Sequence, residues 1–489
     1  MEKKIRPIMF VGTGSDVGKS VINAGFCRIL MQDGYKPAPF KAQNMSLNSY
    51  ATPDGFEIGR AQAVQAEACG IECKVEMNPV LLKPTSNLTS QVVLNGKPIG
   101  NQTASEYFLK TDRKFLFDEA LKAYHKLAAE FNPVVIEGAG SISEMNLWDK
   151  DITNMRIALA TEAATFLIAD IDKGGVFGSV YGTIELISPE ERKLIKGIII
   201  NKFRGDISLF QEGKKILEEI TGIPVVSIIP YYNDIYIDDE DSVVLDKKTA
   251  SISDNKINIV VVLLKHMSNF TDFNVLERIA DVHLFYSNNI DDILNADIIV
   301  IPGSKNTISD LLHLRKTGIA KAIITAHTKG KSVYGICGGF QMMGTEICDP
   351  HQVEGDIETI SGLGLLPIQT KLTEEKVTEQ CSFTFLQNED ICRGYEIHMG
   401  ETNTVKPSPL VKINDGENDG YFLNPQTWGT YIHGIFDNMP VIRNIIETVG
   451  GKASVDFNIE EFKNEQYNKL AKVVRDNSDM KYIYKSLEL

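Results

Sequence analysis

Cysteine is scarce and irregular in this chain: seven residues in 489, an odd number without a repeated spacing. That excludes a secreted disulfide framework, and each is read as a free thiol. Cys69 and Cys73 have no matching Cys/His pair at zinc-site spacing, so they read as buried helix cysteines rather than metal ligands. No apolar run reaches the roughly 18 residues that argue for a membrane-spanning helix. The apolar part of the opening MEKKIRPIMFVGTG is too short for a signal peptide, so a cytoplasmic protein without membrane insertion is expected. Basic residues are not in excess. With a formal net charge of −15 the chain has no general attraction for nucleic acid or an anionic membrane, and phosphate must be held by a local site. Low-complexity tracts and internal repeats are also missing. At 43% hydrophobic and 24% charged residues, the composition is that of a folded globular protein.

The length is too great for one ordinary core, which favours about two or three domains. In the first half, apolar strands at 7–11, 39–40, 133–136, 165–171, 197–200 and 224–229 alternate with helical stretches, one from Gly18 and one over 59–69. Such alternation predicts a parallel sheet with helices on both faces. Around DDEDS (238–242) the text turns acidic and polar, and 236–256 reads as a linker between a first domain, 1–235, and a second, 257–489. The second domain alternates again: INIVVVLL, DVHLFYS, ADIIVIPG, a helical stretch over 309–329, then SVYGIC. This predicts another α/β sheet with ligands at the carboxyl ends of its strands. Strand-like pieces follow Gly362, and a helical segment from Met439 ends the domain. The expected fold class is therefore α/β in two domains.

The segment FVGTGSDVGKS (10–20) sets a glycine-rich loop between a strand and a helix whose Ile22, Phe26, Ile29 and Leu30 share one face. This is the context of a phosphate-binding loop. Gly12, Thr13, Gly14 and Gly18 would cradle phosphate oxygens with backbone N–H groups, Lys19 would add a point charge, and the Ser20 hydroxyl would ligate Mg²⁺. The spacing from Gly12 to Gly18-Lys19-Ser20 is one residue longer than usual and resembles the dethiobiotin synthetase branch of such enzymes. Glu137, after the apolar PVVI, is the candidate second Mg²⁺ ligand, with Asp16 in the loop as another. Asn201, ending the strand GIII, is placed to read a nucleobase edge; Arg204 breaks the guanine-reading pattern, which favours adenine.

A second chemistry lies in SVYGICGGFQMMG (332–344). A cysteine between glycines on a strand-to-helix turn is exposed at the top of a sheet, and the helix N-terminus favours its thiolate. Cys337 is the candidate nucleophile, and the N–H of Gly338 with one near Gly303 is the candidate oxyanion hole. A thiolate needs a base, and WGTYIHGIF offers His433. His398 in GYEIHMG is a second histidine on a strand-like segment and reads as structural.

The two halves in this order resemble the cobyric acid synthase family. The most diagnostic stretch is PFKAQNMSLNSY (39–50), supported by EIGRAQAVQAEA (57–68), IEGAGSISEMNL (136–147), DIDKGGVFGS (170–179), NKFRGD (201–206), GYEIHMG (394–400) and TYIHGIF (430–436). The resemblance implies ATP- and glutamine-dependent amidation of the b, d, e and g carboxylates of adenosylcobyrinic acid a,c-diamide, with ATP, Mg²⁺, glutamine and the corrinoid as ligands. Lys41 and Arg60 are candidates for phosphate or carboxylate contact, solvated surface charge being their alternative reading. Asn44, Asn48 and Gln62 are candidates for orienting the substrate. Many amidotransferases place a Glu two residues after the histidine; Ile435 stands there, so the group orienting His433 is not identified and a Cys–His dyad is expected. A cobyrinic acid a,c-diamide synthase would share this plan, and a partitioning ATPase would account for residues 10–20 but not for Cys337 and His433. A homo-oligomer is compatible with all of this.

Overall fold

The protein is described from a computed structural model covering residues 5–85, 88–109, 112–238, 252–413, 416–452 and 458–488. Its first domain is built on six parallel strands in the order Val225–Pro230, Ile195–Phe203, Ala164–Asp170, Ile8–Gly12, Val134–Glu137, Ala38–Phe40. The central strands are apolar on both faces because helices cover both: every residue of Ile8–Gly12 and of Ala164–Asp170 is buried. The helix Lys19–Gln32 buries the anticipated face, Ile22, Phe26, Ile29 and Leu30, against this sheet.

The second domain carries six strands in the order Val282–Ser287, Ile257–Val262, Ile298–Ile301, Ser332–Ile336, Thr427–Thr430, Tyr421–Asn424. All neighbours run parallel except the last pair, a hairpin turned at Pro425 and Gln426. Two smaller sheets lie between Glu346 and His433, a four-stranded one with one parallel pair and a five-stranded antiparallel one. The helix expected over 309–329 is two helices, Thr307–Thr317 and Ile319–Thr328, parted by Gly318 in a left-handed conformation (φ 84°) that glycine adopts without a Cβ clash.

Most of the expected linker falls at 239–251, outside the described residues. The C-terminal segment, assigned to the second domain on sequence, divides. The helix Met439–Thr448 packs on the second core, whereas Ile459–Asp476 and Met480–Ser486 pack on the first. The reason is a complementary face. Leu470 and Val474 lie over Gly25, where a Cβ would stand 3.0 Å from Val474, and Arg28 donates to Asn468 at 2.9 Å.

The domains meet along residues 48–60. Tyr50 packs on Tyr395 with ring centroids 4.6 Å apart, and Gln380 donates to Ala51 O at 2.9 Å. Glu57, wholly buried, lies between Lys83 of its own domain at 2.6 Å and Lys376 of the other. Breaking a buried pair from one side costs about 3–5 kcal/mol, because the remaining charge stays uncompensated. Glu57→Ala is therefore expected to lower the thermal midpoint clearly, while removal of the exposed Arg393–Glu460 pair leaves it unchanged.

Candidate active sites

The phosphate loop leaves Ile8–Gly12 at the carboxyl end of the first sheet. Gly18 turns into the helix with φ 95°, and the first helical turn carries no acidic residue, so its free amides face an anion site without a competing carboxylate. A methyl on Gly12 would stand 2.8 Å from Gly14 O, which explains glycine there. Lys19 Nζ donates to Gly14 O at 2.9 Å and Gly140 O at 3.0 Å, curled over the loop. Thr13 N–H donates to Ile168 O at 3.0 Å and pins the loop to the sheet.

Ser20 and Glu137 meet: Ser20 Oγ donates to Glu137 Oε1 at 2.8 Å. Lys41 Nζ reaches the same oxygen at 2.9 Å, and Gln65 donates to the other at 2.5 Å. A hydroxyl and one carboxylate beside a phosphate cradle are hard oxygen donors of the kind that would hold Mg²⁺. Asp16 is exposed on the turn of the loop. Asn201 spends its amide nitrogen on Val17 O at 2.8 Å, so in this arrangement it holds the loop.

Of the residues expected at the substrate, Lys41 lies in this centre. Asn44 donates to Gln62 at 3.1 Å, both buried. Arg60 is directed elsewhere: its guanidinium pairs with Asp238 at 2.9 Å and with Glu67 at 3.8 Å, and it covers the Tyr50 ring. Asp238 belongs to the acidic stretch, so a residue of the expected linker neutralises an arginine of the first domain. Asn48 faces the second domain.

At the second sheet, Cys337 ends the strand Ser332–Ile336 and precedes the helix Gly338–Met343 with φ 51° and ψ −111°. A non-glycine residue there stores about 1–3 kcal/mol of strain, the mark of a nucleophile elbow. The turn is possible because a Cβ on Gly339 would collide with Ile301 O. Cys337 N–H donates to Thr430 O at 2.8 Å. A Cβ on Gly338 would stand 2.8 Å from Ser304 N, and one on Gly303 would stand 3.3 Å from His433 Cε1. Both glycines expected for the oxyanion hole thus border the nucleophile and the candidate base.

His433 is 1% exposed, and its Nδ1 is 2.7 Å from Asp272 Oδ2. Asp272 Oδ1 accepts the Gly434 N–H at 3.1 Å. Asp272 is the orienting group that sequence reading leaves unidentified. Burial alone would push the imidazolium down, but the Asp272 carboxylate, the Cys337 charge and hydrogen bonds to both hold it up at about 10. His398 has both ring nitrogens engaged, by Gly400 O at 3.1 Å and Glu396 at 3.2 Å, and stacks on Tyr431.

A small cavity of about 50 Å³ opens beside Cys337, lined by Lys305, Thr307, Gln341, Glu354 and His398, with Lys83 contributed by the first domain. Burial and then the neighbouring Lys83 push Lys305 down, and among the described residues it forms no side-chain ion pair.

Comparisons with known proteins accord with this two-centre plan. A family model described as the CobQ/CobB/MinD/ParA nucleotide binding domain matches residues 8–243, and one described as the CobB/CobQ-like glutamine amidotransferase domain matches 258–441. The cobyric acid synthase of Parabacteroides distasonis is 59% identical, with 100% of both chains covered. That of Bacteroides fragilis is 58% identical over 100% of this chain and 99% of its own. That of Syntrophobacter fumaroxidans is 45% identical over 99% of each. At that identity over full length, the chain belongs to the cobyric acid synthase family.

Proposed function

We propose that the chain is a cytoplasmic ligase that amidates the b, d, e and g carboxylates of adenosylcobyrinic acid a,c-diamide, using ATP and nitrogen from glutamine. The observation that carries this reading is the pairing, in one chain, of a phosphate loop whose Ser20 meets Glu137 with a Cys337–His433–Asp272 arrangement. A carboxylate is a poor electrophile. Transfer of the γ-phosphoryl group to it gives an acyl phosphate and ADP, and ammonia then displaces phosphate to form the amide. Lys19 and the loop amides stabilise the charge on the transferring group. Ser20 and Glu137 would hold Mg²⁺, which neutralises phosphate charge. Among the described residues no helix is long and apolar enough to cross a membrane.

In the second domain Cys337 Sγ attacks the amide carbon of glutamine. His433, as imidazolium, gives its proton to the departing nitrogen, and ammonia leaves a thioester. His433 then takes a proton from water, which opens the thioester to glutamate and restores the thiolate. Lys305 in the cavity wall suits the α-carboxylate of glutamine, and Glu354 suits its α-ammonium.

The test is incubation of the purified chain with the a,c-diamide, ATP, Mg²⁺ and glutamine, followed by product masses. Successive amide additions are expected, and an unchanged corrinoid would exclude this substrate. Lys19→Ala should slow amidation from glutamine and from ammonia alike by about 10²–10³-fold, as loss of one transition-state donor does. Initial rates with each nitrogen source check this.

A further inference from the structure

The turn that carries Asp272 is capped from the other domain. Asp272 lies in the one-turn 3₁₀ helix Phe270–Phe273, and the preceding Asn269, in a left-handed conformation (φ 50°), makes no side-chain cap. The first N–H of a helix has no partner within it and needs one from outside. Here Phe270 N–H donates to Asn48 Oδ1 at 3.1 Å. The Asn269 side chain reaches the opposite way. Its oxygen accepts Ser49 N–H at 2.9 Å, and its amide donates to the Tyr395 hydroxyl at 3.4 Å. That hydroxyl donates to Ser49 O at 3.3 Å, and the Tyr395 ring stacks on His433 with centroids 5.4 Å apart.

Asn48, Asn269, Asp272 and His433 are 1%, 2%, 4% and 1% exposed, so water does not readily replace a bond lost among them. The segment that supplies Asn48 also supplies Lys41, whose ammonium lies on Glu137 in the nucleotide centre at 2.9 Å. Residues 41–49 therefore touch the phosphate site at one end and the support of the histidine at the other.

We propose that Asn48 is a positioning residue of the glutaminase: by capping the Asp272 turn across the domain interface, it completes the orientation of His433 only when the segment 41–49 is seated. Glutamine hydrolysis is thereby tied to the condition of the amide-forming domain. This inference rests on the glutaminase reading above and adds to it a role for a residue whose sequence context suggests substrate contact. A purely structural Asn48 would behave differently, since loosening the interface weakens both half-reactions together.

The test uses the full chain and four forms: the unaltered protein, Asn48→Ala, Asp272→Asn and the double variant. Glutaminase turnover of Asn48→Ala should fall about 3- to 30-fold, the range that loss of a helix cap gives. KM for glutamine should change little, and ammonia-dependent amidation should fall much less. The alkaline limb of the glutaminase profile should move to lower pH, because a loosened carboxylate supports the imidazolium less. In the Asp272→Asn background, adding Asn48→Ala should have almost no further effect, since the two changes act through one carboxylate. Should Asn48→Ala fail to fold, Asn48→Ser, whose hydroxyl is too short to reach Phe270, serves the same comparison.

Unchanged glutaminase turnover in a folded variant, equal losses with both nitrogen sources, or additive effects in the double variant would each overturn the proposal. Failure of the glutaminase reading itself would look different: the unaltered protein would hydrolyse glutamine no faster than Cys337→Ala.

Discussion

Cys337→Ala is expected to abolish amidation from glutamine while leaving amidation from ammonia near its original rate. In the proposed reaction the thiol forms the thioester and has no part in activating the corrinoid carboxylate, so its loss should remove nitrogen release alone. The substitution also relieves little of the local geometry. The elbow is set by Gly339 against Ile301 O and by Cys337 N–H on Thr430 O, neither of which involves the sulfur. Initial rates with saturating glutamine and with saturating ammonium salt give the comparison. Equal loss with both nitrogen sources in a folded protein would contradict the division of labour between the domains.

Asp272→Asn should lower glutaminase turnover by about 10²–10⁴-fold, the range found when a base or the carboxylate behind it is lost. Burial by itself pushes His433 down; the Asp272 carboxylate is the largest influence that raises it. An asparagine keeps the shape and removes the charge, so the imidazolium loses its main support and titrates at lower pH. In the proposed mechanism protonated His433 is the form that delivers a proton to the departing nitrogen. Its activity is therefore retained below its pKa and lost as pH rises through it, near 10 in the unaltered protein. In the variant the alkaline limb should move to lower pH. A glutaminase pH profile of both proteins decides this, and a limb that stayed in place would mean that Asp272 does not control His433.

Both centres are legible in the sequence where their parts are contiguous. The phosphate loop and the cysteine elbow each lie within a short stretch in which glycine positions, an apolar strand and a following helix impose one backbone path. Glu137 is legible for the same reason, as the acidic end of an apolar strand. Asp272 is not, because it stands 161 residues from His433 and its surroundings, SNFTDFN, show no periodicity that marks a site. The one available signal is the missing glutamate after His433, which says that a carboxylate must come from elsewhere without saying where.

Polar residues near the first site are harder to assign for a related reason. Asn48 and Arg60 suit substrate contact in sequence, and in the structure one caps a turn of the second domain and the other pairs with Asp238. Interface polarity and ligand polarity use the same residue types. The C-terminal helices show the limit for packing: amphipathicity says that Ile459–Asp476 buries a face, but not that the cover is Lys19–Gln32 of the first domain.

In the proposed reaction, ammonia released at Cys337 becomes the corrinoid amide formed in the first domain. Glutamine labelled with ¹⁵N at its side-chain amide, supplied together with unlabelled ammonium at a concentration too low to support the reaction, tests it directly by the mass of the product. Heavy nitrogen in the new amides, dependent on ATP and absent from Cys337→Ala, is the expected result. Unlabelled amides, or labelled amides that form without ATP, would contradict it.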